Sequence, residues 1–346
     1  MSTPAPIDYW TFFASEARRG HSPLYERLAL SIRDDETLRN IAARVRPGQP
    51  QANLIFAAAH FLLLKGTPHS LAAYYPSVSP NAKPDGDPFP HFRDFCLANE
   101  SEVIRLVEKR VTNTNEVSRS TSLYPAFDLI ARETGQGLHL IEIGPSAGFN
   151  LNWDRYLYTF RNGDEKLTRG PSAAHLNVET ELRGGLAPPL LPVFPKVLSR
   201  VGLELNPVDL KNEQDRLWLK ALIWPELGPR FVRLESAIAT ALEHPRLILP
   251  GDALELLEGV VKALPDSGAI VIYHSHVTYQ FSQPMRARLN ATIEGLSRVR
   301  PIYRVSIEWD EGAYPVNIGR YENGSSDKRT IALCDPHGTW LDWRYQ

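Results

Sequence analysis

The sequence predicts an α/β protein: a mostly parallel sheet with helices on both faces, ending in an antiparallel hairpin and preceded by a helical region. Three observations predict it. Short apolar runs alternate with amphipathic stretches from residue 121 onward. The runs Leu138–Ile143 and 270–273 are continuously apolar or nearly so, as strands covered on both faces are. Before residue 121 the apolar spacing is helical instead, with Val103, Leu106, Val107 and Val111 on one face.

Taken in order, helices are expected over 24–32, 51–64 and 92–111. A link with five prolines, residues 76–90, must be a loop. This places a helical cap region at 1–120 and an α/β domain at 121–346. The α/β part reads as strand 138–143, helix 149–160, strand 201–206, helices 213–223 and 232–243, strand 246–250 and helix 253–263. Strand 269–274, helix 284–297, strand 301–307 and strands near 315–321 and 329–334 complete it. Asn323 and Gly324 between the last two are a hairpin turn signal. Residues 161–198, rich in glycine and proline, read as an insertion with a small β excursion.

The chain has 346 residues and a net charge of −2, so it offers no general attraction for nucleic acid or anionic membrane. The longest apolar run, at 54–64, is too short to span a bilayer. Two cysteines, Cys96 and Cys334, rule out a disulfide framework and fit a reducing cytoplasm, and residues 1–13 lack the pattern of a signal peptide. The expected partner is therefore a small molecule; the oligomeric state is left open.

Chemistry is expected where the strands end. Residues 138–149 (LHLIEIGPSAGF) run from a strand through Glu142, Gly144, Ser146 and Gly148 toward a helix whose free amides suit an anionic ligand. A plain strand–turn–helix joint has the same appearance. Glu204 ends the next strand and has the two oxygens that a ribose diol needs; Asp252 ends the third and either meets a purine amine or caps the helix that follows. The fourth strand ends in Tyr273, His274, Ser275 and His276. In an extended chain the two histidines share a face and suit a general base, a hydrogen-bond donor or a metal ligand. Tyr273 and Tyr279 would shape an acceptor pocket. Asn113, Asn115, Glu116 and Arg119 form a polar cluster that is either a solvated turn or a lid. Glu308, Asp310, Asp335 and His337 would join the histidines if a metal site formed.

The order of these motifs resembles class I S-adenosylmethionine-dependent methyltransferases over residues 121–346. The resemblance implies a Rossmann-like, methyltransferase-like fold. It assigns Glu142, Gly144, Ser146 and Gly148 to the methionine part, Glu204 to the ribose and Asp252 to the adenine, with S-adenosylmethionine as cofactor. His274 or His276 would be the base, and the helical region would select the acceptor. Three features depart from that pattern. Ser146 replaces the middle glycine, the acids are unusually far apart, and the signature of amino-methylating enzymes is missing from the fourth strand. The whole chain further resembles an uncharacterised bacterial domain-of-unknown-function family through residues 53–64 (NLIFAAAHFLLL), 112–119 (TNTNEVSR), 144–151 (GPSAGFNL) and 218–226 (WLKALIWPE). A module that binds the cofactor or a related nucleoside without turnover remains the alternative. A metal-dependent hydrolase fits less well, and a nicotinamide enzyme lacks its glycine pattern.

Overall fold

Each of the first three helices is started by a side chain that satisfies free amides. In the computed structural model, which describes residues 8–82, 84–112 and 116–345, Asp8 accepts from the amides of Trp10 and Thr11 and opens α1 (Tyr9–Arg19). Ser22 and a proline in the first turn open α2 (Pro23–Ile32), and Asp35 opens α3 (Glu36–Ala42). Helix α4 (Gln51–Leu64) is buried at Ala52 and from Leu54 through Leu63, which explains why its sequence is apolar there but for His60. The expected helix at 92–111 is two helices, α5 (Pro88–Ala98) and α6 (Glu100–Lys109). Asn99 breaks it, with φ −116° and ψ 25°, and its Nδ2 turns back to the Phe95 carbonyl at 2.9 Å. Among the described residues no helix is long and apolar enough to cross a membrane.

The chain divides into two compact units, Met1–Thr114 with Lys211–Leu234, and Asn115–Leu210 with Glu235–Gln346. The first unit has its own core, in which Phe56 stacks on Tyr25 at 4.4 Å and Phe61 meets Trp218 at 6.0 Å.

The sheet belongs to the second unit. After α7 (Ser120–Thr134), which stops at Gly135 with φ 65°, come β1 (Leu138–Ile143), β2 (Leu157–Asn162), β3 (Glu165–Arg169), β4 (Asn177–Leu182) and β5 (Val197–Glu204). Helices α8 (Glu213–Ala221) and α9 (Gly228–Glu243) precede β6 (Leu247–Pro250), α10 (Ala253–Lys262), β7 (Ala269–Ser275) and α11 (Gln283–Leu296). Strands β8 (Ile302–Ile307), β9 (Pro315–Glu322), β10 (Ser325–Cys334) and β11 (Trp340–Trp343) finish the chain. Among the described residues eleven strands form one mixed sheet in the order β3-β2-β4-β11-β10-β9-β8-β7-β1-β5-β6. Six of its ten pairings are parallel. In β6-β5-β1-β7-β8 all neighbours are parallel, and strand order reverses between β1 and β7.

The sheet's two faces differ. Ile141, Ile143, Ile270 and Ile272 pack against Leu254, Leu257, Leu289 and Ile293 of α10 and α11. The other face carries aromatic rings, with Phe127 edge-on to Tyr273 at 5.0 Å and Tyr124 stacked on Trp153 at 5.4 Å.

The β9–β10 hairpin turns through Asn323 (φ 53°) and Gly324 (φ 78°), as expected. The insertion does contain β strands, β3 and β4. The helix expected at 149–160 does not form. A 3-10 turn over Asn150–Arg155 is interrupted at Asn152, and Tyr158 and Phe160 then enter strand β2. The aromatic spacing there fits a strand as well as a helix, and sheet pairing decides it. Strand β11 has no counterpart in the expected elements, and β5 begins at Val197 rather than residue 201.

Candidate functional site

The loop after β1 bends sharply because three residues take left-handed backbone: Gly144 (φ 68°), Ser146 (φ 54°) and Gly148 (φ 75°). Glu204 at the end of β5 holds this loop. Its Oε2 accepts from the Ser146 amide at 2.7 Å and its Oε1 from the Asn206 amide at 3.0 Å. The glycines create room that other side chains fill. A Cβ on Gly144 would lie 2.7 Å from Val277, and one on Gly148 would lie 2.8 Å from Arg246, whose Nε donates to the Ala147 carbonyl. Since only a 3-10 turn follows, the loop does not deliver the amides of an α-helix N-terminus, contrary to the expectation.

Glu142 is buried at the end of β1. Burial pushes its carboxyl up to about 8, while hydrogen bonds from Tyr273 and Asn150 favour the charged form. The Tyr273 hydroxyl donates to Oε2 at 3.1 Å. Near neutral pH this acid holds its proton and is able to donate a hydrogen bond. Asp252 caps α10, accepting from the Leu254 amide at 2.9 Å. The neighbouring Gly251 amide donates to the Glu204 carbonyl at 2.9 Å, which sets the ends of β5 and β6 side by side.

The two histidines do not share a face, contrary to the expectation for an extended chain. His274 lies within β7, but His276 follows it with φ 57°, which breaks the alternation. His274 is locked. Its Nδ1 donates to Glu308 Oε1 at 2.6 Å, and its Nε2 accepts from Arg304 Nε at 3.0 Å. Burial lowers its pKa, and with both nitrogens occupied it is no free base. Glu308 Oε1 also receives the amides of Val277 at 3.0 Å and Thr278 at 3.1 Å. Burial opposes its charge, but these donors prevail and hold it down to about 2. His276 stacks on Tyr314 at 4.7 Å, with Nε2 buried and unpartnered. Burial first, then the Arg119 charge, brings its pKa down to about 3.

Arg119 is buried, with Nε donating to the Pro336 carbonyl at 2.9 Å and Nη1 reaching the Ser275 carbonyl at 3.5 Å. Its charge also acts on Tyr279 and Tyr314. Glu116 is buried and accepts from the Ser118 amide at 3.3 Å. This is a packed joint rather than a solvated turn. Asn113 and Asn115 lie outside the described residues. Tyr279 is 61% exposed. Among the described residues no three histidine, cysteine or acidic side chains gather as a metal site, so His274, His276, Glu308, Asp310, Asp335 and His337 do not assemble as one.

Sequence reasoning missed Asn150 and gave Ser275 no role beyond its place in the fourth strand end. Asn150 Oδ1, Ser275 Oγ and Ser146 Oγ are all buried without partners around the β1 and β7 ends. Their only sequence signal is position, just beyond or at the end of an apolar strand. A cavity of about 600 Å³ opens instead at the amino end of β7, among Glu133, Asp266, Arg300 and Arg320. None of the three acidic strand ends lines it.

A family profile described as "Uncharacterized protein conserved in bacteria" (DUF2332) matches residues 8–343. Part of the chain is similar to phosphoenolpyruvate carboxylase from Thermus thermophilus, at 30% identity over 218 residues, covering 56% of this chain and 24% of that enzyme. The chain thus spans about a quarter of the length of that curated relative. No solved structure matches at a significant level.

Proposed function

The chain belongs to the DUF2332 family, a kinship that brings no reaction with it, and from the site itself we propose that it binds S-adenosylmethionine and methylates a small or medium-sized acceptor. One observation carries this reading. Three consecutive parallel strands, β1, β5 and β6, end in Glu142, Glu204 and Asp252 beside the point where strand order reverses. Open α/β sheets of the Rossmann-like kind take their ligands at the carboxyl ends of the strands, at that point.

The residues present fit such a cofactor. Each Glu204 oxygen accepts one amide and keeps a lone pair for a ribose hydroxyl. Ser146 Oγ is buried without a partner and is able to serve the methionine part. Asp252 uses Oδ1 as a cap and keeps Oδ2 for an adenine amine. When bound, the cofactor supplies an electrophilic methyl group. The chain's own contribution is orientation. The unpartnered Nε2 of His276 suits an acceptor proton, the Arg119 charge acts on both His276 and Tyr279, and protonated Glu142 fixes Tyr273.

A second reading, binding without turnover, is favoured by the low basicity of His276 and the occupied ring of His274. Calorimetry with S-adenosylmethionine and S-adenosylhomocysteine tests the main claim. Glu204→Gln keeps one acceptor for the loop and should weaken binding about tenfold, roughly one charged hydrogen bond. No binding by the wild type overturns both readings. Binding without methyl transfer to any metabolite pool leaves the second.

A further inference from the structure

On the face that α10 and α11 cover, the sheet changes character past α11. Register places Arg304 of β8, Gly319 of β9 and Lys328 of β10 on one rung. Ser306, Asn317 and Thr330 form the next rung, with Thr330 Oγ1 donating to Asn317 Oδ1 at 2.7 Å. Residues two apart on a strand share a face, so both rungs present polar groups on one side. A glycine at the centre of the first rung leaves no side chain between two cations beyond the ring of Tyr321, over which Lys328 Nζ sits at 6.0 Å. Arg286 and Asn290 of α11 and exposed Trp309 wall the hollow, whose volume is about 400 Å³.

Its charge is poorly compensated. Arg304 spends its contacts on neutral acceptors, His274 Nε2 at 3.0 and 2.9 Å and Asn290 Oδ1 at 2.6 Å, and keeps further N–H donors. Arg286 donates through Nε to the Phe281 carbonyl at 3.0 Å. Neither these arginines nor Lys328 has a carboxylate partner among the described residues. Of the two acids at the hollow, Glu308 is already turned to His274 and the Val277 and Thr278 amides through Oε1. The other is Asp310.

We propose that this hollow is a binding site for the phosphate group of a small metabolite, held by Arg286, Arg304 and Lys328 with hydroxyl and amide donors from the second rung. Guanidinium groups suit a tetrahedral oxyanion, lysine adds a point charge, and Trp309 offers a flat surface to the rest of the ligand. Through Arg304, His274 and Glu308 the site is tied to the backbone of Val277 and Thr278, which precede Tyr279. The proposal does not depend on the cofactor reading.

Titration calorimetry of the full chain with inorganic phosphate, at fixed ionic strength and without S-adenosylmethionine, tests it. Saturable binding is expected in the wild type. Lys328→Glu should weaken it at least about tenfold, near 1.4 kcal/mol, while Lys328→Arg keeps it within about threefold. Lys328 is exposed, so thermal melts in phosphate-free buffer should show both variants folded. Binding that does not saturate, equal binding by Lys328→Glu, or acetate binding as well as phosphate would each overturn the proposal.

Discussion

His60 in the helical unit is buried and His276 at the end of β7 half-buried, yet both are held neutral, at about 4 and about 3, chiefly by desolvation. They differ in their partners. His60 donates from Nδ1 to the Ala221 carbonyl at 3.1 Å and accepts at Nε2 from Ser77 at 2.7 Å. It sits in regular helix, inside a packed core. His276 has left-handed backbone, a ring stacked on Tyr314 and an unpartnered nitrogen. Burial and a lowered pKa therefore do not mark a functional histidine. The incomplete hydrogen-bond set is what separates His276 from His60 and makes it the candidate of the two.

The largest effect should come from His60→Ala, which opens a cavity and strands two polar groups, at a cost of about 3 kcal/mol. His276→Ala should cost under about 1 kcal/mol, because little is lost but a ring stack. Urea denaturation measures both, and equal losses would erase the contrast. Glu308→Ala comes next, at about 2 kcal/mol, since it strands His274 and two amides. Hydrogen exchange at Val277 and Thr278 should then rise; unchanged protection would show that the clamp is idle.

Proton linkage sharpens the comparison. Glu142 titrates near 8 in the fold against 4.5 as a free group, so its contribution is full below 4.5 and is lost as pH rises through about 8. Glu142→Gln should therefore gain on the wild type between those limits, seen as a difference in Tm against pH. The two histidines have the opposite sign. Their contribution is full above 6.5 and is lost as pH falls toward about 4 for His60 and about 3 for His276. The smallest effect is expected for Tyr279→Ala, within about 0.5 kcal/mol of the wild type, because the ring is mostly exposed.

Much of the fold is legible in local pattern. The runs that became β1, β6, β7 and β8 are apolar enough to be strands in any context, and Asn323 with Gly324 dictates its own turn. Asp252 was legible as a cap, because a short acid before an apolar helix has a local use. What failed depended on distant partners. Tyr156, Tyr158 and Phe160 fit either period until β4 pairs with β2. The locking of His274 needs Arg304 and Glu308 from another strand and the loop after it, and the left-handed backbone of His276 leaves no mark in residue type. The role of Glu204 as a brace for the Ser146 amide was hidden for the same reason.

The position of β1 has a consequence for biosynthesis. Its register partners begin at Val197 on one side and Ala269 on the other. A ribosome therefore releases this apolar strand long before either neighbour exists, and only the arrival of β7 encloses it. Chains cut short before Ala269 would leave one hydrogen-bonding edge of β1 bare, a template for aggregation. Closing the sheet across such separations is slow compared with forming local helices, so the helices of the first unit have time to form while the centre of the sheet is still waiting.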